Sequence, residues 1–157
     1  MEQISIKLTH TFVGIGGAGK KIVLYLNETE KLQGNYVEVD EYITNLFETS
    51  WFSTADSLIL CAGLGKNIGT SEIVKIAKQA TNAGKKLILC VTLPFSFEGR
   101  SKMVKAEEAL TTLKKLTNHI VILNNEELYS DLNKNEPMYD IFKKGYGTIA
   151  KEIQKLL

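Results

Sequence analysis

Two glycine-rich segments carry the residue types and spacing that suit a polyanion. The first, Gly14-Ile15-Gly16-Gly17-Ala18-Gly19-Lys20-Lys21, directly follows an apolar run and opens a stretch of helical period. Glycines let the backbone approach a ligand closely. Free N–H groups at a helix start attract negative charge, to which Lys20 and Lys21 add their own. The second segment, Ala62-Gly63-Leu64-Gly65-Lys66-Asn67-Ile68-Gly69-Thr70-Ser71-Glu72, has the same setting. Either alone reads equally as a tight strand–helix turn with solvated lysines. Side by side on one sheet edge, the two would cradle a di- or triphosphate.

Other chemistries compete for the first segment. Gly14, Gly19 and Lys20 satisfy the P-loop pattern, but Lys21 stands where that loop needs a magnesium-holding Ser or Thr. The run Leu58–Cys61 also ends in Ala62-Gly63 rather than in an acidic residue. Gly14, Gly16 and Gly19 fit the dinucleotide fingerprint as well, with Glu38 and Asp40 near the spacing of its ribose-binding acid. No second site supports that reading. His10 and His119 have no Ser, Cys or Asp pattern around them and are expected to be structural.

The elements that must position these turns alternate in period. Strands are predicted at Ser5–Val13, Tyr36–Val39, Ser57–Cys61, Lys85–Thr92 and His119–Leu123, and helices at Gly17–Glu28, Ser71–Ala83, Arg100–Leu116 and Pro137–Leu157. The last helix places Tyr139, Phe142, Tyr146, Ile149, Ile153 and Leu156 on one apolar stripe. Alternation of this kind predicts a single Rossmann-like α/β domain, an open, mostly parallel sheet with helices on both faces. Right-handed crossovers then bring every strand-to-helix loop to the carboxyl edge. The polar loop at Asn133–Pro137 precedes the final helix.

The bulk numbers bound the functions. The 157 residues are 44% hydrophobic and 24% charged, with a net charge of +1, so no global field points to nucleic acid or an anionic membrane. Apolar runs are too short to span a bilayer, and the N-terminus lacks a signal core, so a cytoplasmic protein is expected. Cys61 and Cys90 lie inside apolar runs, where buried, unpaired thiols are expected rather than a metal site or disulfide.

A third segment, Thr92-Leu93-Pro94-Phe95-Ser96-Phe97-Glu98-Gly99-Arg100-Ser101-Lys102-Met103, reads in isolation as a proline turn with core aromatics and a helix-start glutamate. Taken with the other two, it resembles the FtsZ/tubulin family of filament-forming GTPases. The family's A-G-M-G-G-G-T-G-T-G is similar to residues 62–71, and its T-K-P-F-x-F-E-G to residues 92–99. The run Ile120–Leu128 is similar to the family's strand ending I-P-N-D. Helix Pro137–Leu157 resembles the start of its long central helix.

The resemblance implies GTP or GDP as ligand, with Mg²⁺ accompanying GTP. Phosphates would lie against Gly16, Gly17, Ala18, Gly19, Lys20, Lys21, Gly63, Gly65, Lys66, Gly69 and Thr70. Glu98 would accept from the ribose, and Lys102 stands where the family places a ribose- or phosphate-contacting Arg. Phe142 matches the base-stacking Phe. Tyr146 replaces the base-reading Asn, and a phenol lacks the paired donor and acceptor of an amide.

Other departures are Lys66, Asn67, Ile68 and Ser71 for Gly, Gly, Thr and Gly. Ile68 is expected to resist glycine-like backbone, and Glu72, in the first helical turn, to repel phosphate. The stretch Gly34–Ala62 is short for the family. The resemblance covers only the family's first domain, so residues 1–157 are expected to be a nucleotide-binding module without the activation domain. Such a module would not hydrolyse GTP alone and would work in or on a filament, with an FtsZ-family protein or a further copy as partner. The alternative is a nucleotide-free pseudo-GTPase that caps filaments or binds proteins.

Overall fold

The computed structural model describes residues 9–43, 45–131 and 137–157. Five strands form one fully parallel sheet in the order β2-β1-β3-β4-β5: β1 His10–Ile15, β2 Asn35–Val39, β3 Ser57–Gly63, β4 Lys86–Leu93 and β5 Ile120–Asn124. β3 is buried along its whole length and β4 along nearly all of it. Their unbroken apolar runs are what a strand covered on both faces requires. The outer strands β2 and β5 are only partly buried.

Helices cover both faces. α3 (Asn67–Asn82) and α4 (Arg100–Lys114) bury Ile73, Ile76, Ala106 and Leu113 on one face, together with Phe52 of the short α2 (Ser50–Thr54). On the other, α1 (Gly16–Glu28) and α6 (Met138–Leu156) bury Ile22, Leu26, Ile149 and Ile153 over Phe12, Ile59 and Ile88. Chain order reverses between β1 and β3, so α1 leaves β1 toward one face and α3 leaves β3 toward the other. At such a switch point the carboxyl ends of neighbouring strands part and leave a crevice.

The expected strands and long helices are present, and three details differ. α3 starts at Asn67, four residues before the expected Ser71, so Ile68, Gly69 and Thr70 are helical. Ile68 therefore carries no backbone strain; among the described residues the one non-glycine with positive φ is Lys31. Glu72 is not in the first turn. It is buried, with its carboxylate 3.0 Å from Lys75 Nζ, and Lys75 in turn donates to the Ile43 carbonyl. α2, α5 (Asn125–Asp131) and a short 3-10 turn at Leu46–Glu48 were not expected. Each is too short to show a period. The start of the strand expected at Ser5–Val13 and residues 133–136 of the expected polar loop lie outside the described residues.

Candidate functional site

A cleft of about 710 Å³ opens at the switch point. Its floor is backbone. A Cβ added to Gly16 would sit 3.5 Å from Gly69 N, so the first turn of α1 meets the first turn of α3 almost backbone to backbone. Gly16 has φ +70, which starts the helix directly from the strand and favours glycine. At Gly17 an added Cβ would meet nothing within 4 Å, so its backbone faces open space. Two helix N-termini from opposite faces of the sheet thus converge on one hollow, each with unsatisfied N–H groups suited to an anion.

One wall is the turn after β4. Glu98 reaches back to accept the Phe95 N–H at 2.7 Å, and its other oxygen lies 3.2 Å from Lys66 Nζ and 3.9 Å from Lys102 Nζ. Partial burial pushes this carboxyl up, but the Phe95 N–H, Lys66 and Lys102 outweigh it and hold it below the usual glutamate range. Lys66 runs across the floor, its Cγ 3.8 Å from where a Cβ on Gly63 would stand.

The opposite end is aromatic. Phe95 and Phe97 stack at 4.8 Å, Phe95 meets Phe142 edge-on at 6.4 Å, and Phe142 and Tyr146 lie nearly parallel at 6.4 Å. Burial pushes the Tyr146 phenol above its ordinary value. Phe97 is 78% exposed, the largest uncovered ring beside the opening. Asn125, also on the lining, has a buried Oδ1 with no hydrogen-bond partner.

Of the residues singled out from sequence, Gly16, Gly17, Ala18, Lys21, Gly63, Lys66, Gly69, Glu98, Phe142 and Tyr146 line the cleft. Five do not. Gly19 is buried against β3, where an added Cβ would lie 2.0 Å from the Cys61 carbonyl oxygen; close helix–sheet packing needs it. Lys20 points to Asp40 at 2.6 Å, beyond the end of β2, and that bond raises its pKa. Thr70 is internal, its hydroxyl accepting the Gly65 N–H at 2.9 Å to close the turn. Gly65, at φ +95, is the hinge of that turn, and Lys102 reaches the site through Glu98.

With Lys20 engaged by Asp40, neither the P-loop role of Lys20 nor a ribose-binding role for Asp40 is served. Thr92, Phe95, Phe97, Asn67 and Asn125 also line the cleft. All five fall within segments already singled out, and the signal for them was their position in those segments, not their chemistry.

The residues fit an organic nucleotide: backbone donors at one end, a carboxylate at mid-cleft, and rings at the other end. They fit magnesium less well. Mg²⁺ bound to a nucleotide usually takes one or two protein carboxylates besides phosphate. Among the described lining residues Glu98 is the sole acid, and it is already engaged. No group of three or more His, Cys, Asp or Glu among the described residues is placed to hold a metal ion.

A glycine-floored crevice at the switch point of a parallel α/β sheet defines the class: a Rossmann-like α/β domain. The sequence pattern of the Tubulin/FtsZ family, GTPase domain, matches residues 38–133. The cell division protein FtsZ of Buchnera aphidicola subsp. Baizongia pistaciae (strain Bp) is 30% identical over 100 residues, 64% of this chain and 26% of that protein. Solved structures share the fold. An empty FtsZ dimer of M. jannaschii superposes with TM-score 0.68 at 22% identity, covering 96% of this chain and 55% of that one. CetZ from Methanosaeta thermophila strain DSM 6194 gives 0.70 at 12% identity, with 96% and 54% coverage. The phage c-st TubZ of Clostridium botulinum gives 0.64 at 18%, with 90% and 58%. The chain belongs to the Tubulin/FtsZ family through its GTPase domain. It spans about a quarter of that curated relative and a little over half of the solved chains.

Proposed function

We propose that the cleft binds a guanine nucleotide and that this domain does not complete hydrolysis by itself. The observation that carries the reading is the meeting of the α1 and α3 N-termini at Gly16 and Gly69, with Glu98 and the Phe142–Tyr146 rings on the same cleft. The N–H groups of Gly16, Gly17 and Ala18 would hold phosphate oxygens, with Lys21 and Lys66 neutralising charge. Glu98 would accept from the ribose hydroxyls. Phe142 and Tyr146 would stack on the base, and the unpaired Asn125 Oδ1 would accept a base N–H.

GTP, when bound, supplies a γ-phosphoryl group for attack by water. The described lining residues include no histidine and no acid other than Glu98 to orient that water. Membership of the Tubulin/FtsZ family supports a role for the module in or on a filament, with an FtsZ-family protein or a second copy as partner. No helix among the described residues is long and apolar enough to cross a membrane.

Isothermal titration with GTP, GDP and ATP tests the reading. Saturable heat with GTP and GDP is expected, and no heat at millimolar nucleotide rejects it. A second reading, a pseudo-GTPase that caps filaments, is favoured by the Lys66–Glu98 ion pair already spanning the cleft. Silent titrations combined with altered sedimentation of FtsZ polymer would select it.

A further inference from the structure

The Lys66 ammonium occupies an unusual place. Its stem crosses the floor over Gly63, and its charge rests on the carboxylate assigned above to the ribose. Glu98 already takes the Phe95 N–H on one oxygen and Lys66 on the other, and it is only 16% exposed. A ribose hydroxyl donating to Glu98 must therefore compete with Lys66. A phosphate at the Gly16–Gly17 end offers Lys66 another anionic partner within the cleft that this lysine also lines.

We infer that Lys66 is an exchange latch, held by Glu98 in the empty cleft and drawn off by phosphate, so that the site accepts nucleotides and resists nucleosides. This rests on the nucleotide reading of the cleft. A nucleoside arrives without an anion and must displace the ammonium from Glu98 with a neutral hydroxyl. A nucleotide brings the compensating charge with it. Lys102, 3.9 Å from the same oxygen, is a second cation beside Glu98. The latch is a single partly exposed ion pair, so its effect on affinity is roughly two- to fivefold.

Titrating guanosine and GDP separately into the wild-type chain and the Lys66→Ala and Lys66→Arg variants tests this. Lys66 is exposed, so folding should survive, and matching melting curves confirm it. The expected result for Lys66→Ala is guanosine affinity higher by roughly two- to fivefold and GDP affinity lower, which narrows the gap between them. Lys66→Arg should restore the wild-type gap. Guanosine affinity unchanged or reduced in Lys66→Ala, with GDP still bound by the wild type, overturns the latch alone. Failure of every variant to bind GDP or guanosine overturns the nucleotide reading and the latch with it.

Discussion

Gly17 and Gly19 show how much two neighbouring glycines can differ in what they do. An added Cβ on Gly19 would collide with the Cys61 carbonyl, whereas one on Gly17 would project into the open cleft. Gly19→Ala should cost more than about 3 kcal/mol, because helix α1 must lift off the sheet. Urea denaturation would measure it. Gly17→Ala should change stability by less than about 1 kcal/mol yet weaken GDP binding about tenfold, read by titration.

Glu98 gives a pH signature at the same scale. Its folded pKa is depressed, so its contribution to stability is complete above the unfolded value of about 4.3 and is lost as pH falls through the folded value. The melting temperatures of wild type and Glu98→Gln should therefore differ at pH 7 and converge only as pH falls below the depressed folded value.

At the scale of elements, α3 illustrates what a sequence conceals. The helix was expected from Ser71, yet it begins at Asn67, where Gly69 packs on the Gly63 carbonyl and Thr70 closes the turn onto Gly65. Tertiary contact overrode local propensity there. By contrast, the central strands were legible, since their apolar runs record burial directly, and so was most of the α6 stripe, although Tyr139 is 67% exposed and Ile141, outside the expected stripe, is buried. The cleft was legible in its glycines and Glu98, because strand order sends those turns to one edge. The outward turn of Lys20 was not, because it depends on Asp40, which lies twenty positions along the chain.

Glu72 is the second concealed feature. On α3, its buried carboxylate has one oxygen without a partner and the other on Lys75. Lys75→Met should cost about 3 kcal/mol by stranding that charge. The double variant Glu72→Leu/Lys75→Met should recover most of the loss. Chemical denaturation of both would show whether the pair acts as a unit.

For the whole molecule, the two faces of the sheet meet at the switch point, where α1 and α3 each contribute an N-terminus. A ligand bound there ties both layers together and should raise global stability rather than merely order a loop. GDP at one hundred times its dissociation constant contributes about 2.7 kcal/mol, or a rise of roughly 5–10 °C in melting temperature. Scanning calorimetry with and without GDP would show it, and a loss confined to local opening would contradict this coupling.

Cys61 and Cys90 sit in register on β3 and β4, fully enclosed beneath α1 and α6, and each other's company together with burial drives the Cys90 thiol well above the ordinary range. A thiol reagent must reach the sulfur, and both are fully buried, so neither reacts until the layer above it departs. The chain thus carries an internal clock: the rate at which an alkylating agent consumes these two sulfurs counts the openings of the sheet. Any compound lodged over the glycines would announce itself by slowing that count, without a label having to be introduced.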